Sequence, residues 1–101
     1  MERRLTHDCF APHIGETYRA LPGSTEELGL VLIEANKLPV RGGPRPEGSR
    51  EPFSLLFRGQ REPWLRQGQY PIQHPSLGTP EMFLVPVGPD AEGMRYEAIF
   101  N

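Results

Sequence analysis

A chain of 101 residues, 37% hydrophobic and 24% charged, is long enough for one domain with one modest core. Its twelve prolines and eleven glycines shorten every regular element and exclude long helices. A net charge of −2 gives no general attraction for phosphate backbones or anionic membranes.

The single cysteine, Cys9, excludes an intrachain disulfide, so folding needs no oxidising compartment. The opening segment MERRLTHDCFAPH carries two arginines with no apolar run of signal-peptide length behind them. The longest uninterrupted apolar stretch, residues 30–33, is far too short to cross a bilayer. These features predict a cytoplasmic protein without a membrane anchor, and they leave association with an extracellular assembly open.

Along the chain, Thr6 is placed to cap one helical turn over residues 7–10, and Pro12 stops that turn from growing. Phe10 is the expected plug for one end of the sheet that follows. Residues 13–21 carry Ile14, Tyr18 and Ala20 at even spacing and predict a first strand, with Gly15 a candidate bulge. Residues 28–37 are the longest strand candidate. Leu28, Leu30 and Leu32 fall on one face and Val31, Ile33 and Ala35 on the other. Glu26, Glu27 and the leucines would also suit a helix, but Gly29 and the β-branched Val31 and Ile33 favour a strand.

Residues 39–51, PVRGGPRPEGSRE, break the pattern. Three prolines, three glycines and three arginines cannot bury a core face, so a flexible loop is predicted here.

Beyond it the apolar runs become short and regular. Phe53, Leu55 and Phe57 share a face that should be core. Residues 59–68 form a second loop, with Trp64 and Leu65 set between charged residues. Tyr70 and Ile72 alternate with Pro71 and Gln73, and the missing donor of Pro71 suggests an edge position. Residues 74–78 turn the chain. Residues 82–87 are apolar on both faces, with Phe83 expected to be buried beside Phe57. Residues 88–93 read as a hairpin loop, and Met94, Tyr96, Ala98 and Phe100 alternate through a last strand. Together these predict an all-β fold: a single antiparallel barrel or sandwich of about six strands with one short N-terminal helical turn.

The runs PFSLLFRG, YPIQHPSLG, FLVPVGPD and RYEAIFN together resemble a group of small bacterial proteins known only as a domain of unknown function. The residues that carry the resemblance are Phe53, Leu55, Phe57 and Gly59; Tyr70, His74, Leu77 and Gly78; residues 83–89; and residues 95–101. It extends thinly to Phe10, Ile14 and Gly15. The resemblance implies an accessory role near phage-tail-collar-like proteins, with a tail-like or fibrous assembly as partner. It implies no catalytic residue.

No constellation in the chain carries chemistry strongly. His7, Cys9, His13 and His74 invite a metal reading, but they lack the paired, tight spacing of structural zinc ligands. Pro12 separates Cys9 from His13, and Ser54, His74 and Asp90 lack a nucleophile elbow. Asp90 and Glu92 beside Gly93 read as turn chemistry. Arg41, Arg45 and Arg50, with Arg58, Arg61 and Arg66 near Trp64, would suit a barrel that binds single-stranded nucleic acid, but Glu47, Glu51 and Glu62 lie among them. The reading is a non-enzymatic protein-binding or structural module with no cofactor, no metal and no nucleic-acid partner. The alternatives are a single-strand-binding barrel and a small hydrolase. The candidate partner-binding residues are Trp64, Leu65, Tyr70, Arg61 and Arg66. Trp64 is either an interface anchor or a lid over the core.

Overall fold

The computed structural model describes residues 5–23, 27–39 and 52–100. Six strands, β1 (Thr17–Ala20), β2 (Leu28–Lys37), β3 (Phe53–Gly59), β4 (Gly68–Gln73), β5 (Glu81–Asp90) and β6 (Gly93–Phe100), follow one helical turn, α1 (His7–Phe10), and a 3-10 turn (Ala11–His13). The strands are antiparallel and close into a barrel in the order β1-β2-β3-β6-β5-β4. Of the two predicted architectures, the barrel is the one formed. No helix among the described residues is long and apolar enough to cross a membrane.

The barrel interior is the alternating set that the strand period selects. Leu30 and Leu32 of β2, Phe53, Leu55 and Phe57 of β3, Ile72 of β4, Met82 and Leu84 of β5, and Tyr96 and Ala98 of β6 are all buried. Two register shifts, between Leu32 and Glu34 in β2 and between Pro86 and Gly88 in β5, interrupt the two ten-residue strands. Bulges at such places bend a strand and let a sheet curl on itself.

Phe10 closes one end of the barrel. It is fully buried, and its ring lies 5.9 Å from both Phe53 and Phe100, which stack on each other at 4.6 Å. Its helical turn is fastened from outside the sheet, where His7 Nε2 meets the Ala35 carbonyl at 3.0 Å. Thr6 occupies the cap position, yet its hydroxyl lies against Cys9 Sγ rather than a backbone N–H.

Three sequence-based expectations are corrected. The first strand is only four residues long, because the 3-10 turn consumes Ala11–His13 and Gly15 turns the chain at φ +92, leaving Ile14 exposed. Phe83 is 49% exposed: β5 is apolar on both faces, so alternation alone could not choose between them, and Met82 and Leu84 took the interior. The last hairpin is tighter than predicted, with β5 running to Asp90. Asp90 Oδ1 accepts the N–H groups of Glu92 and Gly93, and a side chain at Gly93 would collide with the Gly59 carbonyl. The predicted flexible loop falls mainly on residues 40–51, outside the described residues.

Phe57→Ala should therefore cost about 3–5 kcal/mol, while Phe83→Ala should cost about 1 kcal/mol or less. Denaturant melts of both variants check the contrast. Equal losses would contradict the assignment of faces on β5.

Candidate functional site

The loop between β3 and β4 divides its two apolar residues. Trp64 is 46% exposed, whereas Leu65 beside it is 5% exposed and belongs to the core. Of these two neighbours it is Leu65 that covers the core, while Trp64 stands outward. The Leu65 N–H donates to the hydroxyl of buried Tyr96 at 2.8 Å. Burial, above all, pushes the Tyr96 phenol above its ordinary value, so it stays neutral.

Three further hydrogen bonds shape the loop. Gln60 Nε2 donates to the Pro63 carbonyl at 3.2 Å, Arg61 Nη2 to the Asp90 carbonyl at 2.7 Å, and the Tyr70 hydroxyl to the Arg66 carbonyl at 2.7 Å. Arg61 therefore ties the loop to the end of β5, beyond the exposed Val87. Glu62, Pro63, Trp64 and Arg66 line an open cleft of about 640 Å³.

The five candidate residues do not play one role. Trp64 and Arg66 face the cleft, and Arg61 is exposed but tethered. Leu65 is buried in the core, and Tyr70 is half-buried, packing against the core on the same face of β4 as Ile72. Glu62 completes the cleft and was missed.

β4 is an edge only in part. It pairs with β5 along Gly68 to Pro71, but it meets β1 at just two positions, Arg19 opposite Gln73 and Ala20 opposite Ile72. Ile72 N–H bonds the Pro80 carbonyl on the β5 side, so Pro71 faces β1, where its carbonyl accepts from Leu21 N–H. Its missing donor therefore costs β4 no bond to β5. Gln69 faces the same way and has no β1 partner among the described residues.

A second cluster joins residues far apart in the chain. Glu16 Oε1 accepts from His13 Nδ1 at 2.8 Å and from His74 Nε2 at 2.7 Å. His74 is only 4% exposed, and its ring lies 4.6 Å from those of Tyr18 and His13. The Ser76 N–H donates to His74 Nδ1 at 3.0 Å. A backbone N–H can only donate, so Nδ1 keeps its lone pair and the proton sits on Nε2, facing Glu16. The bond from His74, then that from His13, holds the Glu16 carboxyl below its ordinary value.

The ligand atoms of His13, Glu16 and His74 lie within 4.8 Å of one another, and two imidazoles with a carboxylate form a set that zinc accepts. A metal on His74 Nε2 would have to move the proton to Nδ1, and the Ser76 N–H already occupies that position. The cluster is a hydrogen-bonded latch between the 3-10 turn, the entry to β1 and the turn after β4. Beside it Thr17, Arg19, Gln73 and Thr79 line a groove of about 610 Å³. The hydroxyl of Tyr18 is buried with no partner among the described residues. Burial, with the Glu16 charge adding to it, pushes that phenol up to about 12.

The other constellations are not assembled. His74 turns to Glu16 and Ser76 while Asp90 turns to Arg58, so Ser54, His74 and Asp90 do not converge. His7 is engaged by Ala35 and Asp8, away from His13. Arg58 bonds Asp90 at 2.6 Å and Glu92 at 3.1 Å, which removes it from any free basic patch, and Arg41, Arg45 and Arg50 lie outside the described residues.

Among known proteins, the model of one family, described as a domain of unknown function, matches residues 5–100 of this chain. No curated protein and no solved structure matches it.

The latch has a pH signature. Because the folded-state value of Glu16 is lowered from 4.5, its contribution is present above that pH and lost as pH falls through the folded value. Glu16→Gln should lower the melting temperature at neutral pH, and the gap from the parent should close under acid. Thermal melts across that range check it, and a gap that widened on acidification would contradict the assignment.

Proposed function

This chain belongs to that family, Domain of unknown function (DUF6916), and on that premise we propose that it is a non-enzymatic binding module whose loop between β3 and β4 docks a protein partner. The observation that carries the reading is the exposed Trp64 on a loop held by four side-chain hydrogen bonds and the buried Leu65. A tryptophan offers a large contact area, and a loop already ordered in the free protein loses little freedom on binding.

The neighbouring flank of β4 supports the same reading. Around Gln69 it offers backbone groups to which an extended segment of a partner can add as a strand. Glu62 and Arg66 supply opposite charges on either side of Trp64, which suits a polar rim around an apolar anchor. The family resemblance implies a partner from a tail-like or fibrous assembly, and an accessory role there fits a domain of this size.

Trp64 is the only tryptophan, so its emission reports on this loop alone. A partner captured from the native host, identified by mass spectrometry and purified, should shift that emission to the blue on mixing. Trp64→Ala should weaken the purified complex by about 2 kcal/mol, roughly thirtyfold in Kd, with the melting temperature nearly unchanged. Calorimetry and a thermal melt on the same variant check both halves. Equal Kd values for parent and variant would remove Trp64 from the interface.

A further inference from the structure

We infer that the outer face of β5 and β6 docks a second copy of this chain, giving a two-fold dimer. Three large apolar side chains stand exposed on this face: Phe83 at 49%, Val87 at 41% and Ile99 at 54%. Val85 lies between the first two and pairs with Glu97 of β6. That rung is the last that β5 shares with β6; Phe83 lies two residues along β5 from it, opposite Gln69 of β4, and Ile99 two residues along β6. Half-buried Leu56 of β3 flanks Glu97 on its other side. Single apolar residues on a surface need no explanation, but a group on adjacent strands forms a patch.

The charges select the occupant. Arg95 and Glu97 share the outer face of β6, two residues apart. Neither has an ion pair among the described residues; Arg95 Nε reaches only the Gly88 carbonyl, at 3.4 Å. Arg58, opposite Arg95 on β3, is by contrast neutralised by Asp90 and Glu92. A two-fold axis lying in the interface and crossing over β6 at right angles, between Arg95 and Glu97, sets the arginine of each copy against the glutamate of the other. An isologous contact needs one patch complementary to itself, and adjacent opposite charges within an apolar surround meet that need.

Size and topology agree. From Phe83 to Pro89 the strand spans about 20 Å, and three strands cover about 15 Å across it, roughly 300 Å² per copy, which is below a standard interface and limits the contact to a weak, transient one. Ring closure leaves only short unpaired flanks, that of β4 among them, so a sheet face is the larger surface available for association.

Sedimentation equilibrium of the whole chain tests this without any other partner. The parent should show a monomer–dimer equilibrium with Kd on the order of 10–100 µM. Arg95→Glu and Glu97→Arg should each weaken it about tenfold, and the double exchange should restore it, because the two charges then trade places across the axis. Phe83→Ser with Ile99→Ser should leave a monomer, with circular dichroism confirming that the barrel is intact. A parent that stays monomeric up to about 1 mM overturns the inference. So does a dimer that ignores all of these changes, or a double exchange that fails to restore it. Loss of the dimer in Trp64→Ala would place the contact on the loop between β3 and β4 and overturn this assignment of the face.

Discussion

The whole barrel depends on a narrow seam of two residue pairs and one further backbone bond, from the Leu21 N–H to the Pro71 carbonyl. β1 joins β2 along all four of its residues but meets β4 only through Arg19 with Gln73 and Ala20 with Ile72. Without that junction the sheet would stay open and its interior would lose one wall. Glu16 reinforces it from the side, because the residue just before β1 holds the imidazole just after β4. The buried His74 is thus a clasp, and its two nitrogens are both committed to holding shape.

The same economy decides what a chain so rich in proline and glycine leaves exposed. Closing the ring consumes most strand edges, so what remains for contact is a sheet face, short strand flanks such as that of β4, and the loops. The loop carrying Trp64 has no regular structure of its own. It is instead bonded to the fixed carbonyl of Asp90 and the fixed hydroxyl of Tyr96, which hold it against the rigid scaffold. Functional side chains on loops gain their accuracy from this kind of support.

Much of the architecture was legible along the chain because strand period and turn chemistry are local properties. Residues 28–37, the core trio Phe53, Leu55 and Phe57, and the plug Phe10 all follow from spacing and from the residues that end each run. Legibility failed where local information is symmetric or absent. In β5 both faces are apolar, and only the register with β4 assigns Met82 and Leu84 inward and Phe83 outward. Trp64 and Leu65 are equally apolar neighbours, and the Tyr96 hydroxyl across the barrel decides which is buried. The clasp was invisible for a plainer reason. Glu16 and His74 are separated by most of the chain, and nothing in either local context announces the other.

Gly93 couples two parts of the molecule that the chain keeps apart. Its missing side chain leaves room for the Gly59 carbonyl, so the backbones of β3 and β6 touch there with nothing between them. Gly59 is also the root of the loop that carries Trp64, since Gln60 follows it directly. Adding even one methyl group at position 93 would push on that root. The tip of the last hairpin is therefore a fulcrum for that loop: a change made there acts on the residue from which the loop starts.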